Sequence, residues 1–192
     1  MVRLVMTPQE IGDELTNLFG EGVQQTSVET WQVETNEMRL LVLLSEDQSW
    51  LRLLVTIAPA QEAAPFLPQL MEANFDETQE TRYALFQELL WGVFQHSCEG
   101  LTRSDFRSAV SRLIALQQQG LSESFSRLAE AQIRQIIRAA KQQGQSLEAT
   151  MQTLDHLYEE GVMGDIDLGG AARSQVLGAW RYQLERLWHD EN

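Results

Sequence analysis

Between residues 7 and 120 the spacing of apolar positions shifts from the helical interval to the strand interval and back, twice over. Ile11, Leu15, Leu18 and Phe19 recur at helical spacing and so predict a first amphipathic helix. Thr7-Pro8-Gln9-Glu10 marks its start: Thr7 can cap the free amides, Pro8 suits the first turn, and Glu10 can reach back to close a capping box. Met6 and Ile11 have the spacing of a hydrophobic staple, and Gly20 and Gly22 stop the run.

The period then becomes two. Val28 to Glu34 alternates weakly, with Trp31 and Val33 on one face, and predicts an edge or half-exposed strand. Met38 to Leu44 and Trp50 to Ala58 are near-continuous apolar runs joined by the turn-prone Ser45-Glu46-Asp47-Gln48-Ser49, as expected of inner strands. Pro59, Pro65 and Pro68 punctuate the next stretch, where a helix starting near Glu62 or Pro65 carries Leu67, Leu70, Met71 and Phe75 inward. Arg82 to Phe86 and Trp91 to Ser97 predict two more strands around Gln87-Glu88-Leu89-Leu90. Thr102-Arg103-Ser104-Asp105 repeats the cap, and Phe106, Val110, Leu113 and Ile114 form the stripe of a helix ending near Gly120.

Beyond Gly120 the pattern is helical. Ser122 or Ser124 caps a stripe of Phe125, Leu128, Ile133, Ile136, Ile137 and Ala140; Ser146 caps Leu147, Met151, Leu154 and Tyr158; and Val176, Leu177, Trp180, Leu184, Leu187 and Trp188 form a terminal stripe. The predicted fold class is therefore α+β: an antiparallel sheet flanked by helices in the order α-β-β-β-α-β-β-α over residues 1–120, followed by a helical C-terminal extension over 121–192.

Charge narrows the partners. The 192 residues carry a net charge of -14 and are 43% hydrophobic. Residues 1–120 hold 7 basic and 17 acidic groups, and residues 121–192 hold 7 and 11. Such a surface repels nucleic acid and anionic lipid, which are bound by displacing counterions with Lys and Arg. Lys141 is the one lysine among 14 basic residues, so cationic contacts are the planar, forked ones of arginine. The longest unbroken apolar run, Leu40 to Leu44, is far short of the roughly 20 residues a membrane span needs. A single cysteine, Cys98, rules out an internal disulfide and agrees with a reducing, cytoplasmic setting.

Candidate chemistry is sparse. His96 and Cys98 share a strand face, but a reactive thiol needs an orienting group and a positive setting, and Glu99 follows, so the residues predict a structural role. His156 and His189 lack ligand spacing. Asp165-Ile166-Asp167-Leu168-Gly169-Gly170 opens like a calcium loop, yet Val176 stands where the bidentate Glu belongs, which favours a glycine-rich connector. No GxGxxG or P-loop pattern occurs, so no catalytic residue, metal or cofactor is predicted. Trp31 is the exception among the tryptophans: on a weakly alternating edge strand an exposed ring and unpaired backbone would accept an extended peptide by β-addition.

The run Leu70-Met71-Glu72-Ala73-Asn74-Phe75, then Tyr83-Ala84-Leu85-Phe86, Trp91-Gly92-Val93-Phe94 and Leu101-Thr102-Arg103-Ser104-Asp105-Phe106, resembles the second half of a type III secretion chaperone-like domain. By element order the resemblance covers about residues 7 to 120 and fits a non-secretion branch, with residues 121–192 as an addition. It implies a non-enzymatic, cytoplasmic, homodimeric protein that holds a polypeptide client. The first helix and first strands (Ile11, Leu15, Trp31, Val33) would receive the client, and the helix around Phe66 and Leu70 would form the dimer contact. The alternative is an assembly adaptor acting through the helical extension.

Overall fold

The computed structural model describes residues 6–36, 38–159, 178 and 181–191. The chain divides into two compact units, Met1–Phe125 and Ser126–Asn192.

In the first unit six strands form one antiparallel sheet: β1 (Val23–Ser27), β2 (Thr30–Glu34), β3 (Arg39–Leu44), β4 (Trp50–Pro59), β5 (Thr81–Phe86) and β6 (Leu89–Ser97), in the order β1-β2-β3-β4-β6-β5. Helix α1 (Pro8–Phe19) precedes them. A short α2 (Ala60–Ala63), a 3-10 turn (Ala64–Phe66) and α3 (Leu67–Asp76) cross over between β4 and β5, and α4 (Arg103–Gln119) follows β6. Each proline of the crossover thus falls at a helix start or a strand end, where its missing N–H costs nothing.

Both long helices are built with the same ends. Thr7 N–H donates to Glu10 Oε2 at 2.8 Å while Glu10 N–H donates to Thr7 Oγ1, and Thr102 and Asp105 repeat the reciprocal pair on α4. The backbone hydrogen bond from Thr7 holds the Glu10 carboxyl below its usual range. Gly20 and Gly120 close the two helices at φ of 61° and 57°, a conformation in which a Cβ would be strained.

The sheet has one strand more than the periodicity predicts. β1 is polar and almost wholly exposed, so it carries no alternation; it is a strand because it pairs with β2, from Val23 opposite Val33 to Ser27 opposite Thr30. This addition moves β2 off the sheet edge. The β5–β6 hairpin is also tighter than predicted, turning on Gln87 and Glu88 alone. Both have positive φ, 49° and 60°, as the favoured two-residue hairpin requires, although neither is a residue that adopts it readily.

The core lies on one face of this sheet. Trp31, Val33, Leu40, Val42, Leu44, Leu51, Leu53, Val55 and Phe94 form a continuous cluster with Ile11 and Leu15 of α1, Leu70 and Ala73 of α3, and Phe106, Val110 and Leu113 of α4. Gly92 admits this packing, since a Cβ there would stand 2.9 Å from Val55 Cγ2 and 3.3 Å from Leu113 Cδ2.

In the second unit α5 (Ser122–Gln142), most of which belongs to it, and α6 (Leu147–Glu159) accompany a helical stretch at 181–188. Ile133 and Ile137 of α5 bury against Leu184 and Leu187, with Leu147, Met151, Leu154 and Trp188 around them. An ion ladder runs beside this small core. Glu130 receives Arg134 and Arg186, and Glu191 receives Arg134 at 3.0 Å and Arg138 at 2.8 Å. The hydrogen bonds from Arg138 and then Arg134 hold the Glu191 carboxyl at about 2. Of the predicted terminal stripe, Val176, Leu177 and Trp180 lie outside the described residues.

Candidate functional site

Strand alternation gives this sheet two faces, and both carry apolar residues. Residues directly opposite one another in an antiparallel ladder point the same way. Leu41, Leu54 and Val93 stand in one such row across β3, β4 and β6, with Gln32 of β2 at one end and Arg82 of β5 at the other. The adjacent row runs Thr30, Leu43, Arg52 and Gln95. Trp91 and Ala84 pair on the same side, and Trp50 precedes Arg52 by two residues on β4. Leu41, Leu43, Leu54 and Trp91 are half-buried, yet none of them joins the core cluster that the helices pack.

The polar members of this outer face are arranged around its aliphatic row. The Arg52 guanidinium lies 4.8 Å from the centre of the Trp50 ring, a cation–π distance, and its Nε is buried with no hydrogen-bond partner. Arg82 donates through its guanidinium to Gln95 Oε1, and Gln95 stands directly opposite Arg52. Arg39, further along, meets Glu34 at 3.6 Å.

The residues expected from the sequence to receive a client lie on the opposite face. Ile11, Leu15 and Val33 are fully buried and Trp31 is 3% exposed. The expectation of an exposed Trp31 ring on an edge strand is therefore corrected: β1 covers one side of β2, and α1 covers the ring. Gly12 is what lets the helix approach, since a Cβ there would sit 3.1 Å from Trp31 Nε1. The expected dimer residues divide. Leu70 is fully buried, facing the core, and Phe66 is half-buried with its ring edge-on to Phe125 at 6.2 Å. Met71 and Phe75, expected to point inward, are instead the side of α3 that meets solvent: they stand one turn apart, with Phe75 94% exposed. A phase error of one position on the helix separates the expected from the exposed face.

The two sheet edges differ as well. At Tyr83 on β5 the outward backbone is already occupied: the Asn74 amide of α3 accepts from Tyr83 N–H at 2.7 Å and donates to its carbonyl at 3.0 Å. This blunts β5 against pairing with another strand. The β1 edge has no such side-chain plug among the described residues.

Helix α1 is tied to α4 by a buried charge. Glu14 is fully buried; its Oε1 receives Arg107 Nε, while Oε2 has no hydrogen bond and meets Arg103 Nε at 3.4 Å. The two guanidinium groups are about half exposed, so they neutralise the carboxylate without being stripped of water themselves.

The thiol expected to be structural has the electrostatics of one. Burial, and then the Asp47 carboxylate, push Cys98 above its usual range, the opposite of what a nucleophile needs. His96 stacks on Phe94 at 5.7 Å and its Nδ1 lies 2.6 Å from the Ser97 carbonyl. It borders a cavity of about 280 Å³ between β6 and α4 that is also lined by Glu80, Asp105, Ser108 and Arg112. Asp105 there serves the α4 cap, and Arg112 faces Glu80 at 3.6 Å. Among the described residues no group of three or more His, Cys, Asp or Glu side chains is placed to hold a metal, and no helix is long and apolar enough to cross a membrane. Asp165 and Asp167 lie outside the described residues.

No family model and no curated protein matches the chain. Solved structures do align with it. One is the Yersinia pestis type III secretion chaperone SycH in complex with a stable fragment of YscM2, at 12% identity over 59% of this chain and 99% of that chain, with a TM-score of 0.48. Another is the ExsC–ExsE complex, at 14% identity over 62% of this chain and 97% of that one, also 0.48. A third is the heterodimer ExoU–SpcU from the type III secretion system of Pseudomonas aeruginosa, at 14% identity, 58% and 95% coverage, and 0.47.

Proposed function

We propose that this chain is a non-enzymatic, chaperone-like cytoplasmic protein that holds a polypeptide segment against the outer face of its sheet and pairs with a second copy through the exposed side of α3. One observation carries the first part. β3 and β4 are apolar on both faces, a pattern strands take when both faces are covered, and the helices of this unit pack only one. An apolar stripe of this kind, rimmed by polar side chains, is the usual form of a protein-binding surface. The homodimer rests on Met71 and Phe75, which lie beside β5 through the Asn74 contact.

Screening the full-length protein against immobilised short peptides tests the reading. Saturable binding to peptides with apolar residues at alternate positions is expected. A Leu54→Asn protein that melts normally should lose it by at least about tenfold, the loss expected on truncating an interface anchor. Binding that is absent, or indifferent to Leu54, defeats the proposal; the second outcome would favour the alternative adaptor working through residues 121–192. For the dimer, Phe75→Ser should shift sedimentation from dimer to monomer.

A further inference from the structure

Most of the described arginines sit against a carboxylate. Among the described residues Arg39, Arg103, Arg107, Arg112, Arg134, Arg138 and Arg186 each lie within ion-pair distance of a carboxylate. That is the expected outcome for a chain with 28 acidic and 14 basic residues. Arg52 and Arg82 are different: both belong to the outer face of the sheet, and neither has a carboxylate partner among the described residues. Arg52 stacks on Trp50 and leaves a buried Nε without a hydrogen bond; Arg82 has only the neutral Gln95.

We propose that the polypeptide segment held on this face is acidic as well as apolar, with aliphatic side chains on the half-buried Leu41 and Leu54 and carboxylates on the guanidinium groups of Arg52 and Arg82. The proposal rests on the polypeptide-binding reading of the same face and adds the chemistry of the partner. From β3 to β5 the row spans three inter-strand spacings, about 14 Å, which an extended segment of roughly five residues covers. Such a segment turns alternate side chains toward the sheet, so leucine-like and acidic residues must share those positions. A carboxylate would meet the terminal nitrogens of the Arg52 guanidinium as a charge-assisted hydrogen bond, and the Trp50 ring already holds the group in place.

The net charge of -14 argues the other way, since it repels an acidic partner. Distance decides between them. Charges on the rest of the surface are screened beyond about 8 Å at physiological salt, whereas a bound carboxylate touches the arginines directly. The carboxylate of this face, Glu34, is already paired with Arg39. A second copy of the chain fits less well, because an isologous pair presents the same arginine-bearing patch from both sides.

Fluorescence anisotropy with the full-length protein separates the possibilities. The probe is a labelled peptide with serine at every second position and leucine and aspartate in turn at the others; control peptides replace aspartate by asparagine or lysine. The aspartate peptide should bind about tenfold more tightly than the asparagine peptide, the lysine peptide weakest of all, and Arg52→Gln with Arg82→Gln should erase the preference without lowering the melting temperature. Equal binding of the aspartate and asparagine peptides, both weakened by Leu54→Asn, overturns the acidic assignment while the polypeptide reading stands. Failure of all three peptides to bind, or binding that ignores Leu54→Asn, overturns both. Conversion of a dimer to monomer by Leu54→Asn makes the occupant a second copy and also overturns the proposal.

Discussion

The inner and outer faces of the sheet come from the same strands and are both rich in leucine and valine, yet they have opposite fates. On the inner face Leu40, Val42, Leu53, Val55 and Phe94 are covered by three helices and reach full or nearly full burial. On the outer face Leu41, Leu43 and Leu54 stop at half burial and stay outside the core cluster. Charge follows the same division. Among the described residues the inner side neutralises its buried carboxylate, Glu14, with two guanidinium groups, whereas on the outer side Arg39 pairs with Glu34 and the guanidinium groups of Arg52 and Arg82 meet no carboxylate. The difference teaches that apolar content alone does not identify core: strand register and helix packing decide which leucines join it.

Substitutions on each face sharpen the contrast. Phe94→Ala empties a fully packed site on the inner side and should lower unfolding free energy by about 3–5 kcal/mol in denaturant titrations. Glu14→Ala should cost less, about 1–3 kcal/mol, because the arginines it leaves behind are half exposed and can rehydrate; a loss as large as that for Phe94 would mean they are not free to do so. Asn74→Ala removes both hydrogen bonds that plug the β5 edge. It should destabilise by about 1–2 kcal/mol and increase concentration-dependent association in light scattering, since the Tyr83 backbone becomes available for strand pairing. Leu54→Asn is the smallest effect expected, about 1 kcal/mol, the size of a strand-propensity change at a half-buried position. If it destabilised like Phe94→Ala, the two faces would be equivalent and the distinction would fail.

The element order was readable because local chemistry announces it. Thr7 with Glu10, and Thr102 with Asp105, are capping boxes in the sequence and in the structure, and Gly20 and Gly120 end the helices they were expected to end. β1 was not readable, since Val23–Ser27 faces solvent along most of its length and its strand character comes from pairing. That single omission made β2 look like an edge and Trp31 look exposed. The exposed side of α3 was missed for a related reason: α3 has apolar residues on more than one side, and periodicity does not say whether Leu70 or Phe75 points inward. The outer face was half legible. The unbroken runs of β3 and β4 promise two covered faces, but which side chains share a row, and that Arg52 and Arg82 flank it, depends on the strand register.

Amide chemical-shift mapping of the full-length protein, titrated with the leucine–aspartate peptide, tests the central claim most directly. The account predicts that the perturbed resonances cluster at Leu41, Arg52, Leu54, Arg82 and Val93, with inner-face and second-unit amides unmoved. Perturbation centred on the open β1 edge at Gln24 and Gln25, or on residues 181–188, would contradict it.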